Sequence, residues 1–156
     1  MAGIWAPFTN QKLYLARLQF DLMNADAGTN PALKESARQA GLFLLHGAWL
    51  GLLNEIGESF NLTKVRLSSL ADLEKRLGVT NSEVSALLSL YENPQSWLRL
   101  LIGEQEACLN PQAKPEAQIP VELSLTAADE ELPRHQLMLQ DLKDYVIAFR
   151  ERTQEW

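Results

Sequence analysis

The chain has 156 residues, a length that fits one domain, and its 46% hydrophobic and 22% charged content excludes a disordered or fibrous polymer. Fourteen Lys and Arg against twenty Asp and Glu leave a net charge of −6, the wrong sign for a protein that lives by neutralising phosphates. Cys108 is the only cysteine, which excludes internal disulfides and multi-cysteine zinc sites and suits a reducing compartment.

Met1 to Pro7 carries none of the three parts of a secretory signal, so a cytoplasmic protein is expected. The first helix should run from about Thr9, a capping residue, to about Asp26. Leu13, Ala16, Phe20 and Met23 form one apolar stripe with Leu15, Leu18 and Leu22 beside it, so this helix is expected to be largely covered. Ala27, Gly28 and Thr29 stop it, and Asn30-Pro31 restarts the chain as N-cap and first helical residue. The second helix should continue to about Phe60, and between Gly41 and Leu53 it is apolar all round, which demands neighbours on every side. Residues 39–53 are its most apolar stretch, too short for a bilayer, which needs about 20 residues, and His46 interrupts them. Gly47 and Gly51, with Ala40 and Ala48 nearby, mark a face on which another helix can lie close, either from the same chain or from a second copy.

A polar turn over 61–68 leads to two short helices, about Ser69–Leu77 and Thr80–Tyr91, divided by Gly78. Asn93-Pro94 should open a fifth helix carrying Trp97, Leu98, Leu101 and Ile102. Residues 110–126 hold Pro111, Pro115 and Pro120 and read as an extended connector. The last helix begins between Ala127 and Pro133 and runs to about Gln154, with Asp129, Glu130 and Glu131 at its positive end and Arg150 and Arg152 near its negative end. Leu139, Leu142, Val146 and Phe149 give it one apolar face. The expected fold is therefore all-α: a bundle of about four main helices plus two short ones in a single domain. Residues 1–109 would form its core, 110–126 the connector and 127–156 the closing helix.

Residues 69–90 resemble the helix-turn-helix of bacterial DNA-binding proteins: Leu73, Leu77, Gly78, Val79, Thr80, Val84 and Ser85 fall where that family has its packing residues and turn glycine. Thr80 with Glu83 reads as a capping box. The resemblance implies contact with duplex DNA through Lys75, Arg76 and Asn81. Against it, no Lys or Arg occurs from Thr80 to Asn93, and Glu74 stands where the family has a small alanine. The phrase Tyr91 to Leu98, with Asn93-Pro94-Gln95-Ser96-Trp97-Leu98 at its centre, resembles a group of short uncharacterised helical proteins of proteobacteria over most of residues 9–108. That resemblance implies a bacterial source and a helical fold and carries no active site.

Groups for catalysis are few. His46 sits on the apolar helix and reads as a buried histidine bonded to a neighbouring carbonyl or hydroxyl; His135 should be capped or exposed near Glu131. Glu104 and Glu106 beside Cys108 disfavour a thiolate. The arginine-then-histidine spacing of the small helical nucleases called HEPN is missed at Arg38 and His46. No Glu-x-x-His pair, phosphate loop or dinucleotide fingerprint occurs, so no metal or cofactor is expected.

Trp49 and Trp97 read as core. Trp5 and Trp156, at the two ends, need either docking on the bundle or a partner to cover them. Residues 109–156 carry five cations and nine anions, four of the six excess negative charges. Trp5, Trp156, Glu151 and Glu155 are therefore the candidate protein interface. The function expected is non-catalytic: a cytoplasmic protein-binding or adaptor protein whose partner is another protein or a second copy, with no membrane contact. A DNA-contacting regulator using residues 69–90 is the alternative, and a small helical enzyme or nuclease centred on His46 comes third.

Overall fold

The structure, a computed structural model, describes residues 3–25, 30–112 and 133–154. Its helices are α1 (Trp5–Ala25), α2 (Pro31–Ser59), α3 (Leu70–Leu77), α4 (Ser82–Glu92), α5 (Trp97–Ala107) and α6 (Arg134–Gln154), and no strand occurs among the described residues. This is the all-α bundle that the periodicity predicts. Three members are long, while α5 has 11 residues, no more than α4. Most of the connector, the expected first turn at 127–132 and the stop signal at 27–29 lie outside the described residues.

Helix α1 starts at Trp5, so Thr9 is not its cap. Thr9 is buried one turn inside, and its hydroxyl donates to the Trp5 carbonyl at 3.0 Å. The reason is the neighbour: a Cβ on Gly51 would overlap Thr9 Oγ1, and a Cβ on Gly41 would overlap the Phe20 ring. Glycine at both positions lets α1 lie antiparallel against α2 at close range, and packing extends the helix beyond its local capping signal. The small-residue face of α2 is thus filled by α1 of the same chain.

Asn30 caps α2 as expected, its side-chain oxygen accepting from the Ala32 and Leu33 amides at 3.1 and 3.2 Å. Asn54, buried in the same helix, accepts from the Leu67 amide at 2.8 Å and donates to the Leu67 carbonyl at 2.9 Å. One amide side chain thereby satisfies a buried stretch of non-helical backbone and pins residues 60–69 against the core.

Ser69 caps α3 by accepting from the Asp72 amide, and Gly78 ends it with φ 82°, a backbone region that glycine enters without steric cost. Two expected caps move. Asn81, not Thr80, caps α4, accepting from the Glu83 and Val84 amides at 2.9 and 3.2 Å. Glu83 is withdrawn from any capping box because its carboxylate takes Arg152 of α6 at 3.0 and 3.1 Å. Ser96, not Asn93, caps α5: its hydroxyl accepts from the Arg99 amide at 3.1 Å and donates to the Leu90 carbonyl, which ties α5 to α4. Asn93 and Pro94 form the turn between the two.

The core centres on α2, where Leu42, Leu45, Trp49, Leu52 and Ile56 are buried. Trp97 meets Trp49 edge-on at 6.5 Å, and α6 lays Met138, Leu139, Leu142, Val146 and Phe149 into the same cluster. No helix among the described residues is long and apolar enough to cross a membrane.

Candidate functional site

Helix α1 is apolar on two sides. Thr9, Leu13, Ala16, Phe20 and Met23 point into the bundle. On the opposite side Tyr14, Leu18 and Leu22, spaced one turn apart, are exposed by 55%, 43% and 55%. The helix is therefore not largely covered, as its composition suggests; only the stripe that meets α2 and α6 is. Beside this face a groove of about 340 Å³ runs between α1 and α6, lined among others by Leu13, Tyr14, Arg17, Leu139, Lys143 and Ile147. Ile147 adds a further exposed aliphatic side chain. The Arg17 guanidinium lies 5.6 Å from the Tyr14 ring centre, and Asp21 accepts from Gln136 of α6 at 2.8 Å, so one cation and one anion edge the apolar strip.

A second concavity, about 300 Å³, lies at the junction of α2, α3, α4 and α5 and is lined among others by His46, Trp49, Ser69, Glu74, Tyr91 and Glu106. His46 is half-buried at its wall, not sealed in the core as its apolar neighbours in sequence suggest. Burial pushes the imidazole below the ordinary histidine value of 6.5, and Glu106 opposes that shift. The folded chain thus holds this proton less tightly than the unfolded chain. The stability that a neutral His46 contributes is intact above pH 6.5 and declines as the pH falls below it.

A third cluster sits where α5 meets the start of α6. Glu104, buried on α5, takes Arg134, and His135 Nε2 lies 3.1 Å from its other oxygen. His135, expected to be capped or exposed, is therefore buried: α6 starts at Arg134, and its first turn packs the imidazole 5.3 Å from the Phe20 ring. Nearby, Arg38 donates twice to Glu35 at 2.7 and 2.8 Å, which holds the Glu35 carboxyl below its ordinary range. Arg38 also stands 4.0 Å from Cys108 Sγ, and burial of that thiol still pushes its pKa up, which keeps the sulfur protonated. No group of three His, Cys, Asp or Glu among the described residues is arranged to hold a metal ion.

The residues singled out from sequence separate. Trp5 is half-buried on the first turn of α1, edge-on to Phe8 at 5.2 Å, and Glu151 is exposed near the end of α6. Arg150 donates to the Ala6 carbonyl at 3.3 Å, so Trp5 and Glu151 share one end of the bundle. Trp156 and Glu155 lie outside the described residues. Lys75 and Arg76 are exposed on the last turn of α3, while the Asn81 oxygen is occupied as a cap. The sequence reading missed Tyr14, Leu18 and Leu22 as a surface. Their period of four was visible; which of the two stripes on α1 would be buried was not.

The whole chain, residues 1–156, matches a family described as a family of unknown function (DUF6586). No curated protein and no solved structure matches it.

Proposed function

The chain belongs to that family of unknown function, and we propose that it acts by binding another protein through the outward face of α1, without running a reaction of its own. The observation that carries this reading is the exposure of Tyr14, Leu18 and Leu22 on consecutive turns of a helix whose opposite side is in the core. Single exposed leucines are ordinary, but an aligned apolar row beside a groove is what an amphipathic helix covers. The occupant fitting this row is a helix with its own stripe at spacings of three and four. A cytoplasmic setting agrees with the single free thiol at Cys108.

A photo-reactive residue placed at position 18, with position 85 on the exposed side of α4 as control, tests the reading in cells. Discrete crosslinked products from position 18 that vanish with Leu22→Glu are expected. A yield at position 18 no higher than at position 85 would overturn it.

A further inference from the structure

We infer that the partner of the α1 face is a second copy of this chain, with the two α1 helices antiparallel about a two-fold axis. This rests on the binding reading above and names its occupant. The argument is self-complementarity, which an isologous contact requires. In an antiparallel pair of identical helices, two positions face each other when their residue numbers share a fixed sum. Setting Arg17 opposite Asp21 of the second copy fixes that register. The same register drops Leu18 between Leu18 and Leu22 of the second copy, and Leu22 between Tyr14 and Leu18 of the second copy. One register thus satisfies the apolar row and the charged row together. A parallel pairing would instead place the Arg17 and Asp21 side chains of the two copies on opposite edges of the seam, where neither cation meets an anion of the other copy.

The structure holds both charged groups where this pairing needs them. Arg17 and Asp21 are exposed, the first lying against Tyr14 and the second anchored by Gln136, and a carboxylate accepts more than one donor. Leu15, half-buried beside Leu18, and Ile147 across the groove widen the apolar footprint. With the chain at −6, general electrostatics oppose association, so a face that brings opposite charges together is favoured over the rest of the surface.

Light scattering and sedimentation of the full chain, from about 5 to 200 µM, test the inference in the range where small interfaces associate. The mass should rise from 17.5 kDa towards twice that value. Arg17→Asp and Asp21→Arg should each weaken association about tenfold, and the double reversal should restore it to within about threefold of the native chain. Leu18→Glu should leave a monomer with unchanged helix content, since Leu18 contributes little to the core. A mass of 17.5 kDa at every concentration overturns the inference, as does a dimer that ignores the single reversals or is not restored by the double one. If the chain is monomeric while position 18 still crosslinks a different protein, the self-pairing fails and the binding reading stands; if position 18 crosslinks nothing, both fail.

Discussion

Helices α1 and α6 both close the bundle over α2, and they are held there by different means. The α1–α2 contact is one of shape: glycines on α2 admit Thr9 and the Phe20 ring, with the threonine hydroxyl satisfied inside its own helix. Helix α6 adds to its apolar stripe a set of ion pairs to three other helices: Arg134 to Glu104 on α5, with His135 Nε2 beside the same carboxylate, Arg150 to Glu55 on α2, and Arg152 to Glu83 on α4. Arg150 alone makes two bonds to Glu55, at 2.9 and 3.2 Å, and two more to Asn10 and the Ala6 carbonyl of α1. Close packing tolerates almost no change of volume, whereas ion pairs tolerate volume change and fail when one charge is removed. The two seams should therefore break under different substitutions.

The largest effect belongs to Glu104. Its carboxylate is buried, so Glu104→Ala removes the anion that Arg134 and His135 Nε2 face at the α5–α6 junction, at about 3 kcal/mol and a melting temperature lower by roughly 6–12 °C. Thermal unfolding followed by circular dichroism measures it. A melting point within about 1 °C of the native chain would mean that α6 is held by its apolar stripe alone. Next comes Gly41→Ala. Alanine favours helix, but its methyl group overlaps the buried Phe20 ring, so a net loss of about 2 kcal/mol is expected, read from urea unfolding at unchanged m-value. If this variant were stabilised, the shape account of the α1–α2 seam would be wrong.

How far each seam was legible in the sequence follows from the same contrast. The glycines, the Asn30-Pro31 start and the leucine period of α6 are local signals, and they placed both ends of α2 and the C-terminal end of α6 within a residue or two of where they lie. Caps were less secure wherever a second capping residue stood nearby. Asn81 displaced Thr80 because Glu83 is taken by Arg152, and Ser96 displaced Asn93 because its hydroxyl also reaches the Leu90 carbonyl. Both choices are made by groups distant along the chain or across a turn. The ion pairs of α6 join residues 30, 69 and 95 positions apart, a separation that leaves no mark on either partner's neighbourhood. The outward row on α1 was hidden for the opposite reason. Two apolar stripes compete on one helix, and only the glycine face of α2 decides which is buried.

Arg150→Ala probes the polar seam at its exposed end. Its side chain is about a quarter exposed, so water partly replaces what is lost. A loss of about 1.5 kcal/mol is expected, between the values for buried and surface pairs, with most of the remaining cost falling on the buried Glu55. A double-mutant cycle with Glu55→Ala isolates the pair: a coupling energy near zero would show that the two bonds from Arg150 to Glu55 position its chain without stabilising it.

The smallest effect, and the one with the opposite sign, is at Gly103. It lies inside α5 like Gly41 inside α2, yet a Cβ there would have open space around it. With no neighbour to overlap, Gly103→Ala keeps only the helix-propensity gain, about 0.8 kcal/mol, seen as a melting point raised by about 2 °C. The same substitution at two helical glycines should thus change stability in opposite directions, and the sign depends only on whether another helix occupies the space. A loss at Gly103 would mean that a group outside the described residues rests on that face of α5. The comparison of seams would then have to include it as a third.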